Sequence, residues 1–356
     1  MTAKRYGLIG CGRISKNHMK AAIENQLTIV AVCDINPDKM TSLLGKYGLS
    51  TESIHCYVDY HEMLINEELD VIAIATESGK HAKIALDVIE HGCSVIIEKP
   101  MALSINEAER IVETAKRKQV KVTVCHQNRF NKSIQNMRKA IEEEQFGKIF
   151  YGTAQIRWHR DKNYYTQAPW RGTYEQDGGA LMNQCIHNID LLKWMLGDEI
   201  ESVVSYTDNL SHPYIETEDF GIALIRFTNG CYGIIEGTTC IFPENLEETL
   251  CIFGEKGTVK AGGKSVNQID VWKFDNQWFD KTIIEDSVEN PENVYGFGHK
   301  LLYQDMIQAI EDNREPLVDG TAGKEAVALV LAIYESAVTH SIVKFPLSNR
   351  STLDYK

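Results

Sequence analysis

The side chain best placed to do chemistry is a lysine that ends an apolar run, Ser94-Val95-Ile96-Ile97-Glu98-Lys99-Pro100. The run reads as a buried strand. Burial disfavours the charged form of an amine, which suits Lys99 to hold a reacting hydroxyl or exchange a proton with it. Pro100 cannot continue a ladder and turns the chain away. Taken alone, the lysine could equally be an exposed residue of a strand-to-helix loop. Farther on, Asn183, His187 and Asp190 stand at i, i+4 and i+7 of a helical stretch and share one face. Leu181, Cys185, Ile189, Leu192 and Leu196 form a separate apolar stripe. An imidazole titrates near neutrality, so His187 is the candidate second acid/base, with Asn183 aimed at the substrate hydroxyl and Asp190 orienting the ring. The plainer alternative is a solvated polar face.

A hydride acceptor for such a hydroxyl is suggested by Gly10-x-Gly12-x-x-Ser15, which follows the apolar run Tyr6–Gly10 and opens a helix over Lys16–Glu24. Gly10 permits the tight turn and Gly12 lets a pyrophosphate approach the backbone. The helix start, with Arg13 and Ile14, supplies amide donors. Ser15 takes the place of the usual third Gly or Ala. Asp34 ends the second strand at roughly the 20-residue spacing expected of a ribose-binding carboxylate. It would repel a 2′-phosphate, and no arginine follows it, so NAD is favoured over NADP. Thr76, His81, Glu98 and Gln127 are expected to line the cofactor cleft together with Lys99.

Between Arg157 and Arg171 the chain gathers four cations and four large aromatics, including Arg160, Tyr164 and Trp170. Guanidinium groups match phosphate or carboxylate, and aromatic faces stack on bases or sugar rings. The segment is the expected grip for an anionic sugar or sugar nucleotide, the alternative being a strand rim with exposed charges. The net charge of -13 argues against a general nucleic-acid binder, which needs a basic face.

These residues need two kinds of scaffold. Up to residue 122, short apolar runs alternate with helical stretches, which describes a doubly wound parallel sheet in an NAD-binding domain over residues 1–122. From 123 to 356 longer alternating strands dominate, with a hairpin signal at Asn229-Gly230. Helices are expected near 131–145, 178–196, 298–313 and 322–341. The fold class is α/β, with a mostly antiparallel open sheet in the substrate-binding second domain. No apolar stretch approaches a membrane span, and the chain begins on a strand rather than a signal-peptide pattern. Nine scattered cysteines without metal-ligand spacing fit a reducing cytoplasm and give no metal site.

The order Gly10–Ser15, Asp34, Thr76…His81, Glu98-Lys99-Pro100 and Gly179…His187-x-x-Asp190 resembles the Gfo/Idh/MocA oxidoreductases along essentially the whole chain. The resemblance implies catalytic roles for Lys99 and His187, NAD as cofactor, and a homodimer or homotetramer built on the open sheet. Many members carry aspartate and glycine where this chain has Asn183 and Cys185, which puts an Asp–His relay in doubt. The string from Arg157 to Gln184 is most similar to members that oxidise UDP-N-acetylglucosaminuronic acid at C3 for polysaccharide synthesis. The alternatives are an inositol or free-sugar dehydrogenase, a non-catalytic NAD-bound sugar sensor, and redox-neutral chemistry on permanently held NAD.

Overall fold

Strand ends position the candidate residues of the first half. The computed structural model describes residues 3–197, 199–275, 277–278, 281–288 and 298–356. They divide into two units, Met1–Ala102 with Glu107–Cys125 and His299–Lys324, and Leu103–Asn106 with His126–Gly298 and Glu325–Lys356. The first unit holds β1 (Arg5–Ile9), β2 (Thr28–Cys33), β3 (His55–Tyr57), β4 (Val71–Ile74), β5 (Ser94–Ile97) and β6 (Val122–Val124). All pairs are parallel, in the order β3-β2-β1-β4-β5-β6. β4 and β5 are buried on both faces, which is why they read as unbroken apolar runs. The strand order reverses between β1 and β4, where the crevice of such sheets takes its ligand. Residues 299–324 complete this unit from far along the sequence. Tyr303 Oη lies 2.9 Å from Tyr6 Oη, and the Val318 carbonyl accepts from Val124 N–H (3.0 Å) and Thr123 Oγ1 (2.9 Å).

The second unit is built on β7 (Ile149–Arg157), β8 (Ile200–Asp208), β9 (Phe220–Phe227), β10 (Tyr232–Thr238), β11 (Glu247–Gly254), β12 (Gly257–Gly262), β13 (Gln268–Phe274), β14 (Gln277–Trp278) and β15 (Val343–Lys344). They form one nine-stranded sheet, β14-β13-β12-β11-β7-β10-β9-β8-β15. Every neighbour pair is antiparallel except β7 with β10. The expected α/β class with a mostly antiparallel second sheet is what the chain adopts, and the Asn229-Gly230 turn joins β9 to β10 as a hairpin. β12 was not among the expected strands; bracketed by glycines, it carries little alternation of its own.

The helix Ile186–Leu196 lies on one face of this sheet because the sheet is notched for it. A Cβ on Gly221 or Gly237 would meet Leu181, and one on Gly152 or Gly233 would meet Leu192. The other face is open: Tyr151, Leu224, Tyr232 and Ile234 are exposed and line a shallow groove with Lys148 and Gly230. Among the described residues no helix is long and apolar enough to cross a membrane.

Candidate active site

In the first unit the glycine turn and Asp34 meet as expected. The Cys11 N–H donates to Asp34 Oδ2 (2.8 Å), and Asn36 N–H donates to Oδ1 (2.9 Å), which fixes the carboxylate beside the turn. Gly10 has φ +95°, and a Cβ there would lie 2.6 Å from the Ala75 carbonyl, so only glycine fits. A Cβ on Gly12, by contrast, would meet nothing within 4 Å, and the exposed backbone of Gly12 and Arg13 stands open to a phosphate. The Ser15 hydroxyl folds back on to the Gly12 carbonyl (2.6 Å) and clasps the turn. The residues fit a dinucleotide.

Lys99 and Pro100, joined by a cis peptide, follow β5. His81 is buried there as a clamp rather than as open cleft lining. Its Nδ1–H donates to the Pro100 carbonyl (2.7 Å), Nε2 lies 3.1 Å from the Thr76 carbonyl, and burial lowers its pKa. Glu98 is likewise buried, 7% exposed, in a cluster with His18, His299, Cys125 and Tyr303. His18 Nε2 (3.0 Å) and His299 Nε2 (3.3 Å) both face Glu98 Oε1, while Lys99 N–H donates to Oε2 (3.2 Å). Burial raises the Glu98 pKa, but the two histidines outweigh it and hold the carboxyl well below the usual range. His18 Nδ1 in turn takes the Tyr303 hydroxyl (2.7 Å). Of the four potential metal ligands here, His18, His299 and Cys125 each hydrogen-bond to Glu98, and the cluster anchors the backbone from which Lys99 projects.

In the second unit the helix that carries His187 does not start as an α-helix. Leu181–Cys185 form a π-turn ahead of Ile186–Leu196, an irregularity common at functional sites. The carboxyl group of Glu218 holds its start. Oε1 accepts from Leu181 N–H (2.7 Å) and Tyr334 Oη (2.9 Å), and a Cβ on Gly179 would fall on top of Oε2. Burial, reinforced by Asp177, raises Glu218 to about 8 against these hydrogen bonds. Asn183 and His187 are each 8% exposed, so their stripe is not a solvated face.

A chain of side chains runs outward from Asn183. Its Nδ2 donates to Asp177 Oδ1, and Asp177 Oδ2 accepts from Gly172 N–H (2.7 Å). Gln184 Nε2 donates to Asn183 Oδ1 and to Tyr164 Oη (2.9 Å). Arg160 Nε (3.1 Å) and Nη2 (2.7 Å) both donate to Gln184 Oε1. The Arg160 guanidinium lies over Trp158 and Tyr164, and the Arg171 guanidinium lies 4.2 Å from the Tyr164 centroid and 5.5 Å from that of half-buried Trp170. Arg171 Nη1 donates to the Tyr164 carbonyl, whereas its buried Nε–H has no partner among the described residues. That leaves the Nε/Nη2 edge, the bidentate one, facing no acceptor among the described residues.

Two expected roles go elsewhere. Arg157 Nε and Nη2 donate to Glu236 (2.7 and 2.6 Å) and Nη1 to Glu247 (2.6 Å), so its guanidinium is already spanned by two carboxylates. Asp190 turns both oxygens to Arg129 (2.8 and 2.6 Å) rather than to His187. The ring beside His187 is His126, edge-on at 5.7 Å. Gln127, next along, buries an Oε1 without a partner among the described residues. Sequence reading missed Asp177, Gln184, Glu218, His126 and Arg129. It also missed His212, whose Nδ1–H donates to Asp219 (2.7 Å) and Nε2–H to the Arg160 carbonyl (2.7 Å).

Residues 4–126 match the oxidoreductase family GFO_IDH_MocA, NAD-binding Rossmann fold, and residues 138–345 match its C-terminal alpha/beta domain. The crystal structure of the WlbA dehydrogenase from Bordetella pertussis in complex with NADH and UDP-GlcNAcA is 39% identical. It covers 97% of this chain and 99% of that one, with a TM-score of 0.90. The corresponding WlbA structure from Chromobacterium violaceum is 34% identical over 97% of both chains, with a TM-score of 0.88. Myo-inositol 2-dehydrogenase of Thermotoga maritima is 22% identical, spanning 96% of this chain and 98% of its own.

Proposed function

The chain belongs to the Gfo/Idh/MocA oxidoreductase family, with NAD as its cofactor, and from that premise we propose that it oxidises C3 of a UDP-linked N-acetyl-hexuronic acid. One observation carries the choice of an anionic sugar nucleotide over an inositol. It is the pairing of Arg171, with its unengaged Nε/Nη2 edge, and Arg160 around Tyr164, in the same unit as Asn183 and His187. A neutral polyol needs neither guanidinium.

Bound NAD would supply the acceptor for the hydride that leaves the sugar carbon. Gly10, Gly12, Arg13 and Ile14 hold its pyrophosphate and Asp34 its adenosine ribose; Thr76 and Gln127 line its cleft, with His81 and Glu98 fixing the Lys99–Pro100 turn. Lys99 holds the reacting hydroxyl and helps to take its proton, with His187 as second acid/base and Asn183 positioning the ring. Arg160 and Arg171 grip phosphate or carboxylate, and Tyr164 and Trp170 offer faces for stacking. Arg157 braces the sheet instead, and Asp190 acts through Arg129. The division of labour follows the sequence reading of a cofactor domain over 1–122 and a substrate domain over 123–356, with two exchanges that the sequence reading did not expect: His299–Lys324 belong to the first unit and Leu103–Asn106 to the second. The apolar open face of the nine-stranded sheet supports a homodimer or homotetramer, and nine free thiols favour a reducing cytoplasm.

The test is NADH formation by the pure protein with NAD and a panel of UDP-sugar acids, neutral UDP-sugars, inositols and free hexoses. Signal confined to a UDP-uronic acid supports the proposal. Signal with inositols or free sugars alone overturns the substrate but not the family. Silence across the panel with NAD bound points to a sensor or to chemistry on permanently held cofactor.

A further inference from the structure

We propose that Gln184 is a positioning and specificity-determining residue that couples the anion-binding Arg160 to the sugar-facing Asn183. The inference rests on the substrate reading above and extends it to a residue outside the expected set.

The argument is one of hydrogen-bond direction. Gln184 Oε1 accepts twice from the Arg160 guanidinium, while its Nε2 donates to Asn183 Oδ1 and to Tyr164 Oη. A flipped amide would set its NH2 against the guanidinium, so its orientation is fixed by the network. Asn183 is fixed in the same way, because its Nδ2 faces the Asp177 carboxylate and its Oδ1 faces Gln184. The chain of donors therefore runs one way, from the cation Arg160 through two amides to the anion Asp177. Side chains linked like this respond together rather than singly.

Gln184 also limits what Arg160 can offer. Nη1 already donates to the His159 carbonyl (2.6 Å) and to Asn245 Oδ1 (3.1 Å), and Nε and one Nη2 hydrogen go to Gln184. Of five donors one remains without an acceptor among the described residues, so Arg160 meets an anion with its charge and a single N–H. Gln184 thus sets both the donor count of Arg160 and the orientation of Asn183.

Two variants separate these effects. Gln184→Met removes the polar link at similar length, releasing the Arg160 donors and deleting the Gln184 bond to Asn183 Oδ1. Gln184→Glu keeps an acceptor for Arg160 but places negative charge beside it and an acceptor opposite Asn183 Oδ1. For a UDP-uronic acid, Q184M is expected to lower kcat about tenfold, the worth of one well-placed hydrogen bond, with KM within about threefold. Q184E is expected to raise KM more than about tenfold. Calorimetric binding of UDP-glucuronic acid to the NADH-loaded protein gives the same ordering without turnover: weakened more than about tenfold by Q184E and less than about threefold by Q184M.

Equal losses in both variants, matched by equal falls in Tm, would reduce Gln184 to a packing role and overturn the inference, as would kcat and KM unchanged in both. If the wild type oxidises only neutral polyols, the substrate reading fails on the wild type alone. The kcat of Q184M on that polyol still decides whether Gln184 positions Asn183.

Discussion

Replacing His212 by glutamine tests how the loop that carries Arg160 is held. Burial opposes the charge of this imidazole, yet the bonds to Asp219, Cys240 and the Arg160 carbonyl raise it to about 10. Asp219, fully buried, is held at about 2 by His212 and the Leu210 and Ser211 amides despite its burial. The two shifts describe one ion pair and count once. A histidine raised in the folded state from 6.5 to about 10 stabilises the fold fully below 6.5, and that contribution is lost as pH rises through 10. At about 1.4 kcal/mol per pH unit, the full effect between pH 6 and 9.5 is about 4 kcal/mol. The pair lies just beneath the surface, so solvent screening brings the expected change to about 2 kcal/mol. The assay is urea unfolding of wild type and H212Q at pH 6, 8 and 9.5. The stability gap should be widest at pH 6 and shrink steadily. A gap constant to within about 0.5 kcal/mol across that range would refute the charged pair and leave only a neutral hydrogen bond.

Lys99→Ala should reduce turnover about a thousandfold while NADH binding, followed by fluorescence, changes less than about threefold; loss of both would make Lys99 structural. Asp34→Asn should lower the NAD-over-NADP preference in kcat/KM about tenfold, since it removes the charge that repels a 2′-phosphate, and an unchanged ratio counts against a ribose role. Glu218, raised to about 8 by burial, favours its neutral form, so wild-type stability should fall by about 2 kcal/mol from pH 6 to 8. Glu218→Gln should remove that slope, and identical pH dependence in both proteins would show that Glu218 does not titrate there. Asn183→Asp should raise KM for a UDP-uronic acid at least about tenfold more than for a neutral UDP-sugar. Equal effects on both substrates would mean that charge at this position does not discriminate.

The parts of the fold that sequence reveals are those set by neighbours in the chain. β4 and β5 are buried on both faces and read as apolar runs, and β9 alternates Ile222, Leu224 and Arg226 outward against Ala223, Ile225 and Phe227 inward. The glycine turn and Asp34 are legible for a similar reason, because one βαβ unit brings them together. Roles decided by pairing between distant elements are not legible. Arg157 reads as a free cation until the register sets it directly opposite Glu247. Asp190 reads as a partner for His187 until Arg129, 61 residues earlier, takes both its oxygens. The π-turn at Leu181–Cys185 is hidden because five residues are too few to show a change of period, and Glu218, which bonds its first amide from beneath Gly179, lies on a loop far along the chain.

The asparagine at 183, set against the aspartate of the family pattern, makes physical sense once Asp177 is placed behind it. A carboxylate at 183 would present its charge to whatever the site binds. Here the negative charge sits one side chain deeper, on Asp177, which is only 3% exposed and is bonded by Asn183 and by the Gly172 amide. On the proposed substrate reading the site would show a neutral amide to the ligand, with Asp177 still fixing that amide's orientation. A neutral polyol would gain nothing from this arrangement, because it is not repelled by a carboxylate. An anionic sugar would be repelled, and the same unit supplies Arg171, with a buried donor awaiting an acceptor, and Arg160, with one donor left. Withdrawal of negative charge at one end and unengaged cationic donors at the other are separate features of the chain, and both favour a substrate that carries negative charge.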